Sequence, residues 1–114
     1  MEIKIITNAI SRKELASLAA SSFGEWIKAV VDNEKQIMAI GGELHADMEQ
    51  VLLEQGSRQE NLWGINLYPA RQDENWIEYD SMINVRPAHG NRSRTVEDAT
   101  MQEKITSVVN ALIV

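Results

Sequence analysis

Two runs of branched and apolar residues, Trp26-Ile27-Lys28-Ala29-Val30-Val31 and Gln36-Ile37-Met38-Ala39-Ile40, are separated only by Asp32-Asn33-Glu34-Lys35. Branched side chains lose rotamer freedom in a helix and suit the pleated surface of a strand. A short polar turn between two such runs returns the second antiparallel to the first. This hairpin commits the chain to an antiparallel sheet, and the remaining segments have to be fitted around it.

At the amino-terminal end, Glu2-Ile3-Lys4-Ile5-Ile6 alternates as a short strand does. Ser11-Arg12-Lys13-Glu14 then has the spacing of a capping box, followed by Leu15, Leu18, Ala19 and Ser22 or Phe23 at helical intervals. Gly24 is the expected stop. Near the other end, Asp98 is placed to cap a final helix with an apolar stripe of Met101, Ile105, Val108, Val109, Leu112 and Ile113.

Between these landmarks, residues 43–53 fit both periods. Leu44, Met48, Val51 and Leu52 match a 3.6-residue repeat. The favoured reading is nevertheless a strand, with Val51–Glu54 and Leu62–Tyr68 forming a second hairpin around Gln55-Gly56-Ser57. Trp76 to Arg86 reads as the longest strand. Ile77, Tyr79, Ser81, Ile83 and Val85 form its packed side, and Trp76, Glu78, Asp80, Met82, Asn84 and Arg86 point the other way. The expected class is α+β: an antiparallel sheet of five or six strands with two helices on one face, in a single domain spanning 1–114. The second face of the sheet would then be partly solvated or free for a partner.

Composition decides which chemistry is open to such a domain. The 114 residues are 44% hydrophobic and include no cysteine. Disulfides, thiolate nucleophiles, iron–sulfur clusters and cysteine-based zinc sites are therefore excluded. With 17 acids against 11 bases the net charge is −6, which argues against nucleic acid as a general partner. No apolar run is long enough for a spanning helix, so no membrane partner is expected. The opening residues lack a secretory pattern, and a cytoplasmic location is the expectation. Asn91-Arg92-Ser93 matches a glycosylation sequon, which matters only in secreted proteins.

The charge is unevenly spread. Ser81 to Val96 holds Arg86, Arg92 and Arg94 and no acid, a local +3; the rest of the chain has 17 acids and 8 bases, or −9. Guanidinium forks and the backbone amides of the Gly90-Asn91-Arg92-Ser93 turn suit a small anionic ligand. Ser93, His89, Asn66 and Asn84 are candidate polar neighbours of Arg86, Arg92 and Arg94. The competing reading is that these arginines pair with the domain's own carboxylates.

His45 stands between Glu43 and Asp47, which on a strand would share its face and begin an oxygen- and nitrogen-ligated metal site; on a helix they would diverge. His45, Asp47 and Asp80 are the candidate acid–base groups. Ser57, Ser81 and Ser93 lie in no nucleophile elbow, and neither the phosphate-loop nor the dinucleotide glycine pattern occurs. No cofactor is expected.

The segments Gly41-Gly42-Glu43-Leu44-His45-Ala46-Asp47, Leu62-Trp63-Gly64-Ile65-Asn66-Leu67-Tyr68-Pro69, Ser81-Met82-Ile83-Asn84 and Gly90-Asn91-Arg92-Ser93-Arg94 resemble a family of short prokaryotic proteins classified as a domain of unknown function. The likeness covers nearly the whole chain, including Val96-Glu97-Asp98, although relatives often carry proline where this chain has Ala99. Alanine changes little at a first helical position. The resemblance implies a free-standing domain and brings no activity, cofactor or catalytic residue. Two functions follow from the residues themselves. One is binding of a small anion through the arginine loop; the other is a non-catalytic interaction or homo-oligomerisation module.

Overall fold

A computed structural model describes residues 2–114. In chain order it contains β1 (Lys4–Ile6), α1 (Arg12–Ala20), β2 (Ile27–Asp32), β3 (Ile37–Ile40), α2 (His45–Glu54), β4 (Leu62–Leu67), β5 (Ile77–Glu78) and α3 (Ala99–Leu112). The five strands form one antiparallel sheet in the order β1-β3-β2-β4-β5. The fold is α+β, as the sequence pattern indicates.

The β2–β3 hairpin is present, with Val31 opposite Met38 and Ala29 opposite Ile40. Asp32 closes its turn: Oδ1 accepts from the Glu34 and Lys35 amides, each at 2.9 Å, and Oδ2 from the Ser57 hydroxyl at 2.6 Å. Ser11 caps α1 by accepting from the Glu14 amide at 3.0 Å, and Asp98 caps α3 through the Thr100 amide at 2.8 Å. Leu15 and Ala19 of α1 and Ile105, Val108, Val109 and Leu112 of α3 pack on one face of the sheet. They cover Ile27, Ala29, Val31, Met38, Ile40, Ile65 and Leu67.

Residues 45–54 are helical, which corrects the favoured strand reading of 43–53, and no second hairpin forms. The reason is topological. β3 and β4 both flank β2, so they run parallel to each other and their connection must cross over β2. Such a crossover needs about a dozen residues and is usually a helix. The 3.6-residue repeat in this stretch then places Met48 and Leu52 on Val30, Ala39 and Leu62. α2 thus covers much of the second sheet face, opposite α1 and α3.

The long strand read from Trp76 to Arg86 stops at Glu78, and short 3₁₀ turns follow at Met82–Asn84 and Pro87–His89. The chain presses against β4 here: a Cβ on Gly64 would lie 2.5 Å from the Ser81 Cβ. Ser81 then turns the backbone out of the extended state, accepting from the Ile83 amide at 3.2 Å. Beyond β5, side chains take over the role of a paired strand. Asn84 donates to the Gly64 carbonyl at 3.0 Å and accepts from the Gly64 amide at 2.8 Å. Arg86 donates to the Leu62 carbonyl. An exposed strand edge is a template for unwanted pairing, and here polar side chains saturate it.

Candidate functional site

The arginine segment is largely tied to the domain itself. Arg86 is buried, donates to the carbonyls of Ile83 and Leu62, lies 4.6 Å over the Trp63 ring and faces Glu49 at 3.9 Å. Burial lowers its pKa and the Glu49 carboxylate opposes that shift. Asn84 is fully buried and also donates to the Arg94 carbonyl at 3.0 Å. Asn91, which the sequence reading did not single out, is the hub of the loop. Its Nδ2 donates to the carbonyls of Asn84, Ser93 and Thr95, and its Oδ1 accepts from the Glu97 amide.

Glu97 Oε2 sits in a nest of three donors: the Arg92 amide at 3.0 Å, the Ser93 amide at 2.8 Å and the Ser93 hydroxyl at 2.6 Å. The Ser93 hydroxyl, joined by the two amides, holds this exposed carboxyl below its ordinary pKa. Arg94 extends outward to an ion pair with Asp80, Nε to Oδ1, at 2.8 Å. His89 is exposed in the 3₁₀ turn before Gly90.

A second group collects where α2 begins. His45 Nε2 donates to the Ile65 carbonyl at 2.8 Å, which makes Nε2 the protonated nitrogen of the neutral ring. Burial is the main reason its pKa lies below the ordinary value, and Lys28 pushes the same way; the Ile65 carbonyl, Asp80 and Asn66 oppose the shift. Lys28, Asn66 and Glu78 are register partners across β2, β4 and β5. Asn66 is buried and donates to Glu78 Oε1 at 2.8 Å and to the Asp80 carbonyl at 3.3 Å. His45, Asn66, Asp80 and Arg94 are therefore brought together. Asp47 and Glu43 are exposed, and among the described residues no three histidine or carboxylate groups converge closely enough to hold a metal ion.

An aromatic ladder is partly open to solvent. Phe23 stacks on Trp26 with ring centroids 4.4 Å apart at 13°, and Trp26 stacks on Tyr68 at 6.1 Å and 24°. The ladder lies at one end of β2 and β4, where Ile27 pairs with Leu67. Phe23 is 40% exposed and Leu44, beside it, 55%. Lys28 lies 5.2 Å from the Phe23 ring centre and Arg71 lies 3.8 Å from that of Tyr68. A cleft opens at each end. One of about 380 Å³ is lined by Ser22, Phe23, Glu43 and Leu44. The other, of about 360 Å³, is lined by Ala16, Glu25, Tyr68 and Arg71. Burial and the Glu78 carboxylate raise the pKa of Tyr68, whose hydroxyl donates to Glu78 at 3.4 Å.

The model of a family described as protein of unknown function (DUF5674) matches residues 4–112. The chain belongs to DUF5674. No curated protein and no solved structure matches it. No helix among the described residues is long and apolar enough to cross a membrane. Within this DUF5674 fold, the tie between Asn84 and Arg86 on one side and β4 on the other carries one sequence signal: two polar residues at alternate positions within an acid-free stretch. The aromatic ladder carries a weaker signal, since Phe23 and Trp26 lie far along the chain from Tyr68.

Proposed function

We propose that this DUF5674 domain is a non-catalytic interaction module that pairs with a second copy of itself through the Phe23–Trp26–Tyr68 ladder. The observation that supports the reading is the stack of exposed Phe23 on half-buried Trp26 and Tyr68, with exposed Leu44 at its side. Contiguous exposed apolar patches rimmed by polar residues mark docking sites. The rim of the patch favours a copy of the same chain. Glu25 and Glu43 border it together with Lys28 and Arg71, so the rim carries both signs that a self-complementary two-fold contact needs. Each copy also offers a protruding Leu44 and a cleft beside Tyr68 that would receive an apolar side chain.

Sedimentation equilibrium over a range of protein concentrations tests this. The expected result is a reversible dimer that Phe23→Asp or Leu44→Asp converts to monomer with the circular dichroism spectrum unchanged. A native chain that stays monomeric at high concentration, or a dimer indifferent to both substitutions, refutes the proposal.

A second reading, binding of a small anion by the Gly90–Arg94 loop, draws support from the nest around Glu97. Three donors already surround one carboxylate oxygen there, so the loop has the chemistry of an anion receptor filled by its own chain. Glu97→Ala vacates the nest. Saturable binding of phosphate or sulfate by this variant, with weaker binding by the native chain, is the expected outcome; no binding by either removes the reading.

A further inference from the structure

The two margins of the sheet are unlike. Along β4, beyond β5, the side chains of Asn84 and Arg86 saturate the outer backbone groups. At the opposite margin β1 pairs with β3 alone. The Gly41 amide donates to the Lys28 carbonyl at 3.4 Å, so Lys28 and, two residues on, Val30 turn their backbone groups towards β3. Antiparallel strands alternate in this respect. Ala39 therefore faces back to β2, while Met38 and Ile40 bond β1 through Ile6 and Lys4. Ile5 is left with its N–H and C=O pointing away from the sheet. Ile3 and Thr7 continue the same alternation just outside β1, and neither has a backbone hydrogen bond among the described residues.

The side chains along this margin differ between its two faces. Ile3 and Ile5 lie on the α2 side, half-buried, where they and the half-buried Ile37 and Leu53 pack on the cluster of Val30, Ala39, Met48 and Leu52. Lys4 stands on the reverse side, the side of Ile6; it is exposed and makes no ion pair among the described residues. Free edges are commonly blunted by proline, a bulge or an inward charge. β1 contains no proline, and its only charge lies on the face opposite the isoleucines.

We propose that β1 accepts an extended segment of another protein as an added antiparallel strand. An extended backbone presents donors and acceptors at the spacing of Ile3, Ile5 and Thr7, and strand addition to an open edge draws its affinity from those main-chain bonds. The residues of the segment opposite Ile3 and Ile5 are apolar and extend the apolar margin of α2. The residue between them is acidic. It sits opposite Lys4 at a position without ladder hydrogen bonds, where facing side chains come closest and opposite charges attract.

The test is an NMR titration of the isotope-labelled native chain with a capped pentapeptide, Thr-Val-Glu-Val-Thr. The expected result is saturable shifts at the Ile3 and Ile5 amides and slower hydrogen exchange at Ile5. The same peptide with both valines N-methylated keeps its side chains but loses two donors, and is expected to bind about tenfold more weakly or worse. Lys4→Glu leaves the backbone edge intact and is expected to reverse the preference, favouring Thr-Val-Lys-Val-Thr; a lysine that only keeps the surface soluble would not do this. The proposal is overturned if Ile3 and Ile5 show no saturable shift, if N-methylation leaves binding unchanged, or if Lys4→Glu leaves the preference as it was. It is also overturned if the Ile5 amide of the free chain gains protection as protein concentration rises, since a second copy would then be the occupant. The readout is local to β1, so a flat titration leaves ladder dimerisation standing, and a chain that stays monomeric leaves strand addition standing.

Discussion

Asn84→Ala tests whether a side chain stands in for a strand along the edge of β4. Asn84 is fully buried, and its amide serves both the Gly64 N–H at 2.8 Å and the Gly64 carbonyl at 3.0 Å. Alanine removes both partners. A buried backbone group left unpaired costs about 1–3 kcal/mol. The third partner, the Arg94 carbonyl, retains the Ser81 amide at 3.1 Å and contributes little. Two orphaned groups and a small void together amount to roughly 3–5 kcal/mol. That is a large share of the ~5–15 kcal/mol typical of a whole domain. At roughly 4 °C per kcal/mol for a chain of this size, melting should fall by about 10–20 °C.

Urea denaturation followed by circular dichroism at fixed protein concentration measures the loss. Hydrogen exchange at the Gly64 amide reads its location. Asn84→Asp sharpens the test, because it keeps an acceptor for the Gly64 N–H but sets a carboxylate against two carbonyls. It should be the less stable variant at neutral pH and recover as acid protonates it. A loss below about 1 kcal/mol for Asn84→Ala, a value within the range of an ordinary surface change, would refute the edge role, as would full exchange protection of Gly64.

Gly64→Ala should cost roughly 2–4 kcal/mol, since the new methyl would lie 2.5 Å from the Ser81 Cβ; Ser81→Gly in the same chain should recover much of it, as a double-mutant cycle would show. His45 titrates below its unfolded value, so its neutral form is the one the fold favours. Its contribution is complete above the unfolded pKa of 6.5 and is lost as pH falls from there through the lower folded value; the native chain should weaken in that window more than His45→Gln in parallel urea titrations. Ser93→Ala removes the hydroxyl that contributes most to holding Glu97 low, and NMR titration should show the Glu97 pKa moving up towards the ordinary carboxylate value.

Elements whose causes lie within a few residues of each other are legible in the sequence. Ser11 and Glu14, Asp98 and Thr100, and Asp32 with the amides of Glu34 and Lys35 all make their contacts locally. Residue type and spacing alone therefore specify the starts of α1 and α3 and the central turn. The stripe on α3 is equally local, because a 3.6-residue period already defines which side is apolar.

Tertiary structure decided the rest, wherever one sequence satisfied two local rules. Residues 45–54 fit a strand and a helix alike, and the helix prevails because β2 lies between β3 and β4 and the chain must cross it. Residues 79–86 alternate like a strand, yet close approach of Ser81 to Gly64 turns the backbone away and leaves Asn84 and Arg86 to bond the edge through their side chains. Composition located the charge imbalance of the arginine segment, but only proximity in space showed its donors engaged by Glu97, Asp80, Ile83 and Leu62. The ladder of Phe23, Trp26 and Tyr68 is likewise a product of strand register, which joins residues that no local spacing connects. A linear pattern encodes which face a residue prefers; which distant residue shares that face depends on strand order.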